Sequence, residues 1–293
     1  MGGDSAELAD HVYGFLSEIE DGFHRYIYDI EEVAEVIRRY PLLDIDEAER
    51  TLPSVVGPDC GEGSWCPTFP HMVTAYRDVD TRETVLAIGT WLESHLGWDV
   101  FVRVAIRRGA NLAGEPVAWD VVPCLMRIEV VGDSLVKGPP WTTWLPYMHP
   151  EKEQHEFDRA ITLCKSGSRA GARVCLTFAH AVALLGCVNV KSVKRRTPKR
   201  VAKHARRMGA IESDHYHVLA LPVGPVPDTA RRDPGEAPDA RAKRLHVARG
   251  HFATYTEENP LFGRHVGRFW KPAHVRGAAG AGVVSKDYRL GRP

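Results

Sequence analysis

Between residues 244 and 277 the chain reads RLHVARGHFATYTEENPLFGRHVGRFWKPAHVRG, with four histidines and six arginines or lysines. These residue types suit metal-independent cleavage of an RNA phosphodiester. A base takes the proton from a ribose 2′-hydroxyl, an acid protonates the leaving 5′-oxygen, and cations stabilise the charge that builds on the phosphate oxygens. Imidazole serves both proton transfers because its unperturbed pKa, about 6.5, lies near neutrality. Guanidinium serves the third role because its planar fork holds two phosphate oxygens together. On this reading His251 and His274 are the acid–base pair, and Arg249 and Arg276 clamp the phosphate. Lys286 and Tyr288 stand in reserve, and Trp270 or Phe252 stacks on a base. No cofactor is called for.

The same residues admit blander readings. His246 is out of phase with His251 and reads as structural, and His265 as a solvated loop residue. His251 and His274 could equally be satisfied structural histidines. A zinc site built from His246, His251 and His274 has loose ligand spacing and no acid close by in the tail to activate water. Cys60 and Cys66 with His71 could begin another, but the five-residue gap is wide and no second CxxC pair follows. There is no G-x-S-x-G elbow, Walker loop or Rossmann glycine pattern.

Three strands would have to position the tail residues: RLHVARGHF, GRFWKPAHVRG and GVVSKDYRL, with TYTEENPLFGRH as a long connection. Period-two alternation puts Arg249 with His251, His274 with Arg276, and Lys286 with Tyr288. Upstream, Pro198 opens a basic helix running through Met208. In it Lys199, Arg200, Lys203, Arg206 and Arg207 recur at three- and four-residue steps, so several project from a common side. Like charges this close repel unless an anion lies opposite, and a nucleic-acid backbone fits, RNA favoured over DNA.

These motifs resemble a family of proteins from phages, prophages and other mobile elements. The likeness rests on His-x-x-Arg-Gly-His at 246–251, Trp-x-x-x-His-x-Arg-Gly at 270–277 and Lys-Asp-Tyr at 286–288. It extends upstream through CVNVKSVKRRTPKRVAKHARRMGAIESDHYHVLAL, and covers roughly residues 160 to 290. More distantly, a small sheet studded with His, Arg, Lys and Tyr is similar in chemical style to the barnase, EndoU, colicin and RelE group of ribonucleases. That likeness implies a toxin-like endoribonuclease.

The remaining elements read as follows. Ser5 to Arg39 has the periodicity of two helices, and IDEAERTL that of a short third. Thr81 to Leu96 reads as a helix from Val85, Ile88, Leu92 and Leu96. WDVFVRVAIRR, VAWDVVPCLMRIEVV, CVNVKSV and HYHVLALPV read as strands, and Glu151–Cys164 and Ala172–Leu185 as helices. The expected fold is α+β: an acidic helical and β part over 1–138, and a helical hairpin, strand and basic helix over 151–223. A Pro-rich linker follows at 224–242, then a β-unit at 243–293 ending in a small antiparallel sheet.

The formal net charge of zero conceals polarity along the chain. Residues 1–60 hold fifteen acids against four Arg or Lys, whereas residues 191–210 hold nine Lys or Arg and no acid. That asymmetry suggests an anionic partner for the basic part, and an antitoxin-like or phage protein docking on the acidic part. Alternatively the acidic half covers the basic half. No apolar run is long enough to span a bilayer, so no membrane contact is expected, and a cytoplasmic location is the default. A DNA- or RNA-binding regulator without catalysis, or a phage structural protein, are the competing functions.

Overall fold

The computed structural model describes residues 3–21, 30–51, 70–78, 80–94, 97–107, 119–121, 124–131, 134–135, 143–146, 168–211, 213–222, 244–248, 250–276 and 278–283. Its centre is strand β3 (Thr84–Ser94), which pairs antiparallel with β2 (His71–Arg77) on one side and β4 (Gly97–Arg107) on the other. This is the segment whose spacing suggests a helix, and the correction has a clear cause. Val85, Ala87 and Trp91 enter one apolar layer, while Leu86 and Ile88 enter the other. A strand buried on both faces shows no hydrophobic alternation, so periodicity cannot tell it from a buried helix. Leu92, counted toward the helical stripe, is in fact exposed.

The sheet extends outward from this centre. Beyond β4 come β5 (Trp119–Val121), β6 (Cys124–Val131), β7 (Ser134–Leu135) and β8 (Thr143–Pro146). On the other side β1 (Leu42–Asp44) lies parallel to β2, and its far edge is parallel to β10 (His215–Ala220). Strand β9 (Lys191–Arg196) closes this end, antiparallel to β10. The boundary expected between residues 1–138 and 151–223 is therefore crossed by one sheet, in which β1 joins β2 to β10. The expected linker, 224–242, and the expected helix 151–164 lie outside the described residues.

Helices cover both faces. Amphipathic α1 (Gly3–Glu20) and α2 (Ile30–Arg39) bury Leu8, Val12, Phe15, Leu16, Val33 and Ile37 against Leu86, Ile88 and Ala105. They are joined on that face by α5 (Lys199–Arg207). The other face receives α3 (Asp46–Thr51) and α4 (Ser168–Leu185), through Ala48, Val174, Phe178 and Val182. Each fully buried Leu, Ile or Phe stabilises such a layer by about 1.5–3 kcal/mol. The fold is α+β, and among the described residues no helix is long and apolar enough to cross a membrane.

The acids of the N-terminal part are largely spent inside this arrangement. Fully buried Glu49 takes hydrogen bonds from Arg173 and Thr177 of α4. Glu7 pairs with Arg77 at 2.7 Å, and Glu20 with Arg38 at 2.9 Å.

At Gly89 the sheet and α4 are in closest contact: a Cβ built there would overlap the ring of Phe178. Gly89→Ala should lower stability by about 1–3 kcal/mol through overpacking, measured by denaturant unfolding. Combining it with Phe178→Leu should return part of that loss.

Candidate nucleic-acid interface

Helix α5 is the expected basic helix, and its three stripes do different things. Val201, Ala202 and Ala205 are buried under α1. Lys199, Lys203 and Arg206, at steps of four and three, form a second, exposed stripe. Arg200, His204 and Arg207 form a third, which lines a cleft beside α1. Pro198 precedes the helix at φ −54°, where its missing N–H costs nothing. Arg206 and Arg207 suit the negative end of the helix dipole, but Lys199 and Arg200 stand at its positive end, where acids are preferred. The sequence therefore accepts an electrostatic cost to keep cations at both ends.

Strand β9 continues the charge. It pairs on one side only, so its outer backbone edge is unpaired among the described strands. Lys191, Lys194, Arg195 and Arg196 are all exposed, and only Val193 is half-buried. Arg196 and Lys194 stand opposite His215 and His217 of β10, and Ser192 Oγ lies 2.9 Å from His217 Nδ1. Of the nine cations in residues 191–210, Arg200 pairs with Asp10 at 3.1 Å and Arg206 with Asp214 at 2.8 Å. Among the described residues the other seven have no ion pair: Lys191, Lys194, Arg195, Arg196, Lys199, Lys203 and Arg207. Among the described residues the acidic half meets these cations in one ion pair, Arg200 with Asp10.

The C-terminal candidates are arranged differently from expectation. The first two expected strands each break in two. The first gives β11 (Arg244–Ala248) and β12 (His251–Tyr255), and the second gives β13 (Gly267–Lys271) and β14 (His274–Arg276). The register does not slip across the breaks: His246 faces Arg276, Ala248 faces His274, and His251 faces Lys271. The four pieces thus form one kinked ribbon, interrupted where Pro272, which has no N–H to donate, falls opposite Gly250. A further strand, β15 (Ala278–Val283), runs parallel to β11; it shares only Gly282 and Val283 with the third expected strand, whose remaining residues lie outside the described ones.

The constant register puts His274 and Arg276 at positions of the same parity as Phe252 and Trp270, and His251 at the opposite parity. Arg249, Lys286 and Tyr288 lie outside the described residues. The base-stacking role expected of Trp270 needs correction. Its side chain is 1% exposed, packed against Phe252 and His180 in the layer over α4. Its backbone is fixed by Asn189, which donates to its carbonyl and accepts from its N–H at 2.7 and 2.9 Å. Arg268 is also buried, with its guanidinium 4.1 Å from the centre of the Phe252 ring. These aromatic and cationic residues anchor the ribbon to the core.

The zinc readings gain no support. His71 bonds Thr90 Oγ1 at 3.1 Å, and Cys60 and Cys66 lie outside the described residues. Among the described residues no group of three or more His, Cys, Asp or Glu could hold a metal.

Two histidines outside the sequence-derived set are strongly perturbed. His180 is fully buried, and its Nε2 lies 3.0 Å from Thr51 Oγ1, whose own hydrogen is directed at the Glu47 carbonyl. That geometry makes Nε2 the donor of a neutral ring. Burial, reinforced by Arg268, holds its pKa down at about 4. His11 is held at about 4 by burial, with Arg107 the next cause, and its Nδ1 bonds Thr84 Oγ1 at 2.9 Å. An isolated histidine in an apolar helical stripe carries no sequence signal of this kind. Below pH 6.5 the unfolded chain takes up protons that the folded chain refuses, so the stability present above that pH is lost as pH falls toward 4. Melting temperature should therefore fall across this window, and less steeply in His180→Phe; an unchanged slope would mean that His180 does not titrate as its burial requires.

Compared with known proteins, no family model, no curated protein and no solved structure matches this chain.

Proposed function

We propose that this protein binds nucleic acid through the phosphate backbone, with β9 and α5 as the contact surface. The observation that carries this reading is the run of seven exposed cations without an ion pair among the described residues, on one edge strand and the helix that follows it. A few lysines are enough to keep an edge strand from pairing with another chain. The further charge on α5, some of it at the unfavourable end of the helix dipole, goes beyond that need. A polyanion relieves the mutual repulsion and releases its condensed counterions. The half-buried His215 and His217 of β10 add donors beside Arg196 and Lys194.

The reading stops at binding. Catalysis by His251 and His274 would require the kinked ribbon to bring both imidazoles to one phosphate, and its register gives them opposite parity. Loss of strand scission in His251→Ala would add a catalytic step to the binding one.

Binding of labelled RNA and DNA oligonucleotides, followed by anisotropy against salt, tests the proposal. If about five phosphates are contacted, log affinity should fall against log salt with a slope of roughly −3.5 to −4.5. Replacing Lys194, Arg195, Lys199 and Lys203 by Gln should flatten that slope by about 3 and leave the circular dichroism spectrum unchanged. Absence of binding to either nucleic acid at low salt would overturn the reading.

A further inference from the structure

A cleft of about 390 Å³ opens between α1, the end of β4, β5 and α5. Its size is that of a small-ligand pocket. Gly14 of α1 lies in its wall, and a Cβ placed there would meet nothing within 4 Å. Glycine inside a helix costs about 1 kcal/mol relative to alanine. No close packing neighbour requires it here, and its backbone is not in the left-handed region. What the missing side chain does is leave the cleft open.

The charges around the opening are unequally committed. Asp10 is engaged by Arg200 at 3.1 Å. Glu18 accepts the Trp119 backbone N–H at 3.0 Å, and His204 Nε2 lies 3.1 Å from Ser17 Oγ. Arg107 and Arg207 have no ion pair among the described residues, although both line the cleft. Two uncommitted guanidiniums in a confined space suit a dianion better than a monoanion. Beside them, Asp10, held by Arg200 through Oδ2, can accept a hydrogen bond from a hydroxyl or amino group through its other oxygen.

We infer that this cleft holds a terminal phosphate monoester, gripped by Arg107 and Arg207, with Asp10 accepting from the adjoining sugar or base. The inference rests on the nucleic-acid reading and sharpens it. An internal phosphodiester carries one charge and must enter and leave the cleft, whereas a terminal phosphate carries nearly two and can end there. The geometry of α5 provides the path. A strand lying along Lys199 and Lys203 need cross only the helix, about 10 Å wide, to turn its end into the cleft beside Arg207. A free nucleoside monophosphate offers the same chemistry, and the test separates the two sources.

The experiment compares one oligonucleotide carrying a 5′-phosphate, a 3′-phosphate or only hydroxyl ends, with the full chain at fixed salt. One phosphorylated form should bind about tenfold or more tightly than the hydroxyl form, the effect of a charge-assisted contact to two guanidiniums. Gly14→Leu fills the cleft, and Arg107→Gln removes one guanidinium without touching the α5 and β9 surface. Either should erase the advantage and leave binding of the hydroxyl form within about twofold. Adenosine monophosphate, if it occupies the cleft as a free ligand, should also erase the advantage in competition; if it does not, the site requires the attached strand. Equal, measurable binding of all three oligonucleotides overturns the cleft assignment and leaves the surface reading intact. So does an advantage that survives both variants. Failure of every oligonucleotide to bind overturns the surface reading instead.

Discussion

The structure depends on a sheet whose central strands are apolar on both faces. Val85, Ala87 and Trp91 need cover on one side, and Leu86 and Ile88 on the other. The first sequence half gives α1 and α2 to one face and the short α3 to the other, and the second half sets α4 beside α3 and returns α5 to the first face. Strand β1, only three residues long, carries the join, since it is hydrogen-bonded to β2 from one half and β10 from the other. Short as it is, its removal would separate the sheet into two pieces.

A sheet built this way must end somewhere, and where it ends decides where charge can accumulate. The interior is closed to unpaired cations by their desolvation cost, and among the described residues the guanidinium buried within it, that of Arg268, lies over an aromatic ring. Strand β9 is at the boundary of the described sheet and carries Lys191, Lys194, Arg195 and Arg196, all exposed. Helix α5 follows within three residues and must bury Val201, Ala202 and Ala205, which turns its remaining stripes outward or toward α1. The same burial that fixes the helix thus points its cations. The acids that meet them, Asp10 and Asp214, reach only Arg200 and Arg206. Most of the N-terminal acids are committed elsewhere, as Glu49 is to Arg173 and Thr177.

The C-terminal ribbon shows why residue types alone are an insufficient guide to a site. Histidine, arginine and tryptophan are as useful for fastening a strand to a core as for handling a phosphate. Trp270, Phe252 and Arg268 serve the first purpose, seated over His180, with Asn189 bonding the Trp270 backbone in both directions. The break at Pro272 divides the ribbon without altering its register, so the ladder of Phe252 with Trp270 and that of Ala248 with His274 stay in step.

The α+β class, the helices α1, α2 and α4, and above all the basic helix with its cation spacing are legible in the residues alone. These are local matters: periodicity, a proline at the helix start and the charge of a short window. That Thr84–Ser94 is a strand follows from packing in space, because double-sided burial removes the alternation on which a one-dimensional reading relies. The tertiary structure also places Arg107, from the end of a strand, and Arg207, a hundred residues later, in the lining of one cleft beside Gly14. No spacing rule connects those positions, since what unites them is the packing of α5 against α1.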